Sequence, residues 1–408
     1  MSKPLVSFAP PYRGVVSLIV LVCMIPIGAS ANAATEPLRL YSQNPSYFLF
    51  RGQPTILIGS SEHYAAVSNT AFDYRVYLDA VKAAGLNAVR IFTGTYSEPL
   101  DTRSTRQSGN SLAPDPDHYL APWPRTDQAG AVDGRSKFDL SRWDGEFFKR
   151  LKAFMRAASD RGIVVEVALF TPFYAQMSDY SWSRSPLNAR NNVNGIGVVK
   201  GADALTLKEP GLVTVQDALV RKVVEELRDF DNLYYEICNE PFHVLDVSPD
   251  WARHIARTIH EVEKTFPRPH LIAQEFDPLR TLDSPPEALP VRDPISEASI
   301  FVIHNLPEPQ ILKVNSRLER PMGYNETGFY GTADAAYRLQ AWRYVLAGAA
   351  VAIGLDYSFT VGHEDGSFVL PEGQIGGGSA ALRYQFGILA SFMKGLSYVN
   401  MRPAPEVI

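Results

Sequence analysis

Leu233-Tyr234-Tyr235-Glu236-Ile237-Cys238-Asn239-Glu240-Pro241 is the stretch from which the rest of the chain is read. It reads as a strand over 233–239, closed by a proline. Side chains of a strand alternate with period two, so Glu236, Cys238 and Glu240 fall on one face. Working outward, short apolar runs alternate with helical segments, the pattern of parallel strands joined by helical crossovers. The predicted strands are Thr55–Ser60, Ala88–Phe92, Ile163–Phe170, Leu233–Asn239, His270–Gln274, Ile300–His304, Met322–Asn325 and Ala349–Asp356. Helices are expected over about 72–84, 147–162, from Thr214 onward, 249–265, within 309–318, 334–346 and 380–394. The third opens on Thr214 and Asp217, which read as a capping box. Prolines 278, 285, 286, 290 and 294 leave no room for a regular fifth helix.

Eight strands with seven good helices make an α/β chain, a (β/α)8 TIM barrel. A short β-hairpin over Tyr47–Pro54 precedes it, and long βα loops follow strands two and three. In such barrels the site lies at the C-terminal ends of the strands. Glu240 then stands at the open rim with Glu236 deeper, a structural carboxylate toward the floor. Glu326, in Gly323-Tyr324-Asn325-Glu326-Thr327-Gly328, ends strand seven, nearly opposite strand four. Two carboxyl groups facing each other across a cleft suit glycoside cleavage: one protonates the leaving oxygen, the other attacks the anomeric carbon or activates a water.

The pairing of Asn239-Glu240-Pro241 after strand four with Glu326 after strand seven resembles the retaining barrel glycosidases of clan A, closest to the cellulase-like family 5, as a divergent member. The likeness spans about 47–394. It implies Glu240 as acid/base, Glu326 as nucleophile, Asn239 on the sugar 2-hydroxyl, Arg90 supporting the nucleophile carboxylate, and His304 as the strand-six histidine. The chain departs from family 5 in three places. Leu169-Phe170-Thr171-Pro172 lacks the histidine usual after strand three, Leu306 stands where a tyrosine is usual, and the strand-eight tryptophan is absent, with Tyr357 as its stand-in.

Further substrate-binding candidates are Glu62 and His63 at the end of strand one, Tyr324, Asp356 and Tyr357, with Gln274 and Glu275 after strand five. Trp182, Trp123, Tyr174 and Tyr180 in the loops are candidates for stacking on sugar. Cys238 reads as a small apolar filler. No cofactor and no metal is expected; His363, Glu364 and Asp365 read as a solvated loop. The expected function is retaining hydrolysis of β-linked glycans or glycosides. The alternatives are a non-catalytic carbohydrate-binding barrel, and a metal-dependent barrel hydrolase, which would want a His-x-His on strand one where this chain has Glu62-His63.

Residues 1–33 read as a secretory signal peptide: Lys3 and Arg13, an apolar run from Val15 to Ile27, then Ala31-Asn32-Ala33. Residues 34–408 then form a single catalytic barrel, secreted or periplasmic. Cleavage removes two positive charges and no acid, taking the net charge from −5 to −7. That balance speaks against a nucleic-acid partner. No membrane partner is expected after cleavage, the partner is a carbohydrate, and the oligomeric state is left open. Cys238 is the one cysteine of the mature chain, so the core rather than a disulfide must hold the fold.

Overall fold

Eight parallel strands close on one another in chain order. They are Leu57–Ser61, Ala88–Phe92, Val164–Ala168, Leu233–Glu236, Ile272–Glu275, Ile300–His304, Met322–Glu326 and Val351–Leu355, and strand eight pairs back onto strand one with Val351 opposite Leu57. The computed structural model describes residues 36–97, 110–173, 180–241, 247–276, 290–291, 293–304, 306–327 and 329–401. The leader expected over 1–33, the side chains of Tyr174 and Tyr180, and prolines 278, 285 and 286 lie outside the described residues. The expected (β/α)8 barrel is therefore present.

Each strand is buried along its whole length apart from single half-buried positions. That follows from a parallel sheet covered outside by helices and filled inside by its own side chains. The helices pack through apolar stripes. Gly145–Asp160 buries Phe147, Phe148, Leu151, Phe154 and Met155, and Asp144 caps its first turn. Pro249–Glu263 starts on Ser248, with Trp251, Ile255 and Ile259 inward. The third long helix begins earlier than the sequence reading has it, at Pro210, with Glu209 as its cap. Thr214 instead bonds back to the Pro210 carbonyl, and Asp217 pairs with His254 of the next helix at 2.8 Å, so the expected capping box is not formed. Proline needs no donor in a first turn, which lets the helix start there.

The N-terminal hairpin, Phe48–Phe50 with Gln53–Thr55, gains a third strand, Arg39–Leu40. Arg51 at its turn grips Asp231 just ahead of strand four, at 2.7 and 2.8 Å, and Phe48 stacks on Tyr234. It covers the end of the barrel opposite the expected site.

At the other end, asparagines sew the two long loops together. Asn191 accepts the Val132 N–H and Asn194 the Leu140 N–H, at 2.8 and 2.7 Å. The Ser185 hydroxyl donates to the Thr95 carbonyl beyond strand two. The asparagine-rich run is thus a set of loop fasteners, each amide taking up backbone groups that a long loop would otherwise leave unsatisfied. No helix among the described residues is long and apolar enough to cross a membrane.

Candidate active site

Arg90 of strand two is the hub of the barrel's upper interior and is wholly buried. Its Nε and Nη2 donate to Glu236 Oε2 at 3.0 and 2.6 Å, and Nη2 also donates to Asn239 Oδ1 at 2.7 Å. Glu326 lies 3.6 Å from Nη1, and Glu166 and Glu275 each lie 3.9 Å away. One guanidinium cannot neutralise four carboxylates in a low-dielectric interior, so some keep their protons. Burial, reinforced by Glu236, pushes the Glu166 carboxyl up to about 8 and Glu275 well above the usual carboxylate range. Glu236 is the structural partner of Arg90, as the sequence reading has it.

Strand four ends at Glu236, so alternation alone does not carry Glu240 to the rim. The chain turns instead, and Glu240 takes a left-handed backbone with φ 39°, a conformation that costs a non-glycine residue energy and persists only where neighbours enforce it. Its N–H donates to Glu275 Oε2 at 2.8 Å, and the Asn239 N–H donates to the Phe170 carbonyl at 2.9 Å. Asn239 Nδ2 donates to the Thr171 hydroxyl at 3.0 Å, in the stretch after strand three that has no histidine.

Glu326 ends strand seven beside a register shift against strand six, where Ile303 pairs with Tyr324 but His304 pairs with Glu326. His304 Nδ1 lies 3.1 Å from Glu240 Oε1 and 3.8 Å from Glu326 Oε2. One side-chain atom each from Glu240, His304 and Glu326 falls within 4.8 Å of the others. The Tyr64 hydroxyl donates to Glu326 Oε2 at 2.6 Å, and its ring lies over the Arg90 guanidinium at 4.7 Å. Burial raises Glu326 above the ordinary carboxylate value and the Glu240 charge adds to this, while the Arg90 charge and the Tyr64 bond pull it down. The structure therefore brings together Glu240, Glu326, Asn239, Arg90 and His304.

Tyr64 is the residue sequence reasoning missed. It follows Glu62-His63 in a left-handed turn, φ 60°, and supplies a hydroxyl to Glu326 although Leu306 stands at the usual tyrosine position. An aromatic next to a strand-end Glu-His pair was the one available signal.

Other candidates are turned elsewhere. Tyr324 faces the helix Asp334–Leu346 and meets Tyr344 edge-on at 5.1 Å. Its neighbour Asn325 points inward to Glu166, so alternation sends Tyr324 outward, which corrects its reading as a substrate contact. Trp182 is 1% exposed, its indole N–H spent on the Val199 carbonyl at 2.8 Å and its ring packed on Phe173. It is a loop anchor rather than a sugar platform. Trp123 is likewise buried, stacked on Trp143. The Tyr357 ring is roofed by Gly376, where a Cβ would stand 2.0 Å from it, and flanked by His63 at 5.0 Å, so its face is not open.

Glu62 accepts the Ala65 and Ala66 N–H groups at 2.8 and 3.2 Å, and burial pushes it up to about 8. It fixes the loop that carries Tyr64. Asp356 is held by Ser60 and by Arg383 of the last helix, at 2.8 and 2.6 Å. Burial lowers His63 to about 3, keeping it neutral beside the Glu240 charge.

No family model matches the chain, and no curated protein matches it. Solved structures share its fold. A Bacteroides vulgatus ATCC 8482 structure, provisionally described as a glycoside hydrolase, is 14% identical at TM-score 0.60, covering 90% of this chain, which spans only 63% of that one. The endo-1,4-beta-mannanase of Rhizomucor miehei is 14% identical at TM-score 0.57, covering 88% of this chain and 100% of its own. A glycoside hydrolase family 5 mannosidase from the same organism is 12% identical at TM-score 0.55, covering 89% and 100%. The fold is that of glycoside hydrolase barrels, family 5 among them, and identity this low fits a divergent chain.

Proposed function

We propose that the chain is a retaining glycoside hydrolase acting on β-linked glycans or glycosides. The observation that carries this reading is the approach of Glu240 and Glu326 across the rim, with atoms of both within 4.8 Å of each other and of His304. Retaining enzymes hold their carboxyl groups about 5–5.5 Å apart and inverting ones about 6.5–9.5 Å, to admit a water. Close approach of the two carboxyl groups is what direct attack by one carboxylate requires.

Tyr64, Arg90 and His304 all address Glu326 Oε2, so Oε1 is the oxygen that attacks the anomeric carbon. Glu240 gives its proton to the glycosidic oxygen, and the aglycone leaves. Glu240 then takes a proton from the incoming water, which attacks the anomeric carbon and frees Glu326. Asn239, oriented by Arg90 and Thr171, is the group to hold the sugar 2-hydroxyl. The leader-like segment supports cleavage near residue 33 and a secreted or periplasmic enzyme meeting carbohydrate outside the cytoplasm.

The test is turnover of a panel of aryl β-glycosides and polysaccharides, with β-mannosides included because the Rhizomucor miehei neighbours are a mannanase and a mannosidase. Glu240→Gln, on substrates with poor leaving groups, and Glu326→Gln, on every substrate, should each lower activity by several orders of magnitude while melting as wild type. Full activity in either would sink the assignment. Activity lost on chelation would favour a metal-dependent hydrolase, and glycan binding without turnover a binding barrel.

A further inference from the structure

Glu275, at the end of strand five, touches Glu240 from two sides. Its Oε2 accepts the Glu240 N–H at 2.8 Å, at the left-handed backbone of that residue. Its Oε1 lies 3.4 Å from His304 Nε2, and His304 Nδ1 lies 3.1 Å from Glu240 Oε1. Glu275 and His304 are both fully buried at the side chain; Glu275 shares a side-chain hydrogen bond with Glu236, and His304 Nε2 has no hydrogen-bond partner among the described residues other than the facing Glu275 Oε1. Two unsatisfied buried polar atoms facing each other are costly unless a proton lies between them, and such contacts often tighten only when substrate is bound.

We infer that Glu275, His304 and Glu240 form a proton relay, in which Glu275 is a positioning residue that stores the proton the acid/base delivers. The inference rests on the reading of Glu240 as acid/base. In one arrangement Glu275 carries the proton on Oε1 and donates to Nε2, while Nδ1–H donates to an ionised Glu240. When the proton passes to Nε2, the Nδ1 proton passes to Glu240 Oε1. Glu275 is left ionised, His304 stays neutral in its other tautomer, and Glu240 becomes the acid. One proton enters the imidazole and one leaves, so charge is conserved. The partner of one ring nitrogen thus dictates what the other can do.

The charged and titratable groups around Glu275 are Arg90 from strand two, Glu236, Cys238 and Glu240 from strand four and its end, and His304 from strand six. Burial and the Glu236 charge favour a protonated Glu275, against the pull of Arg90. Glu326, 3.8 Å from Nδ1, is the other acid facing His304.

Glu275→Gln separates holding from storing. The amide oxygen can still accept the Glu240 N–H, but the side chain can no longer give up a proton. Phenyl β-glycosides need protonation of the leaving oxygen, whereas 2,4-dinitrophenyl β-glycosides do not. Glu275→Gln should lower kcat/KM on the phenyl substrates by about tenfold to a hundredfold, within the range of acid–base effects. It should also displace the alkaline limb of the pH profile and leave the dinitrophenyl substrates within about threefold, a leaving-group split that general loss of structure would not give. An unchanged phenyl rate and limb in Glu275→Gln, with Glu240→Gln showing the leaving-group split, overturns the relay alone. If Glu240→Gln shows no split, the acid/base reading itself has failed.

A second measurement needs no Glu275 variant. In 15N-histidine-labelled wild type, with His304 assigned by its loss in His304→Gln, the ring should be neutral across the active pH range. A doubly protonated ring throughout would overturn the relay, because an imidazolium flanked by two carboxylates has no tautomer to exchange.

Discussion

Tyr64→Phe removes a single oxygen and leaves the ring over Arg90 in place. What is lost is the 2.6 Å hydrogen bond to Glu326 Oε2. A hydrogen bond to a charged group contributes about 1.5–3 kcal/mol, and each 1.36 kcal/mol is tenfold in rate. The bond favours ionised Glu326 and, with the Arg90 charge, opposes the rise that burial imposes. Without it, Glu326 holds its proton to higher pH. Because attack requires the ionised form, activity falls as pH drops through that value, so the acid limb of kcat/KM must move to higher pH. On the acid side the loss should reach about tenfold to about a hundredfold, narrowing toward neutrality. The assay is kcat/KM against pH on an activated aryl glycoside, beside a melting curve to show the fold intact. An acid limb that coincides with wild type would refute the claim that Tyr64 holds the nucleophile.

Arg90→Met strands several buried carboxylates and should cost about 3–5 kcal/mol in chemical denaturation; a loss below about 1 kcal/mol would mean the interior readily rearranges or keeps its carboxyls protonated. For Glu62, whose folded value is raised from 4.5 to about 8, the sign is fixed: its stabilisation is complete below 4.5 and lost as pH rises through about 8. Glu62→Gln keeps an acceptor for the Ala65 and Ala66 N–H groups and should flatten the decline in stability over that window; an identical slope in the variant would contradict this. Trp182→Phe deletes the bond to Val199 and should lower stability by about 0.5–1.5 kcal/mol with KM unchanged, and a raised KM would return Trp182 to contact with substrate.

Much of the barrel was legible because its strands are short apolar runs between helices of clear amphipathic period. Ala88–Phe92 and Ile300–His304 fall where the pattern puts them, as do the last two helices. The ends of Thr55–Ser60 and Ile163–Phe170 shift by one or two residues, since apolar content does not mark where pairing stops. The Pro210 start was hidden by Thr214 and Asp217 further on, a capping-box pattern with Asp in place of the usual Glu. At the site, Glu326 could be placed because it ends its strand, and Glu240 because it lies just beyond one, although the left-handed turn that brings it to the rim could not be read. Tyr64 could not, because a left-handed turn that swings its ring over Arg90 leaves no periodic trace. Tyr324 was misread because the register shift beside His304 lets both Asn325 and Glu326 face inward. The burial of Trp182 comes from the folding of its own long loop, through Phe173 and Val199, and that of Tyr357 from His63 and Gly376.

The closure of strand eight onto strand one joins Val351 to Leu57, residues near opposite ends of the barrel sequence. Synthesis delivers the first partner long before the second, and contacts of such separation make folding slow. Until Val351–Leu355 emerges, the sheet is an open fan with bare amide edges at strands one and seven, each a template for pairing with another chain. A polypeptide cut short anywhere before Val351 would therefore aggregate rather than form a smaller barrel.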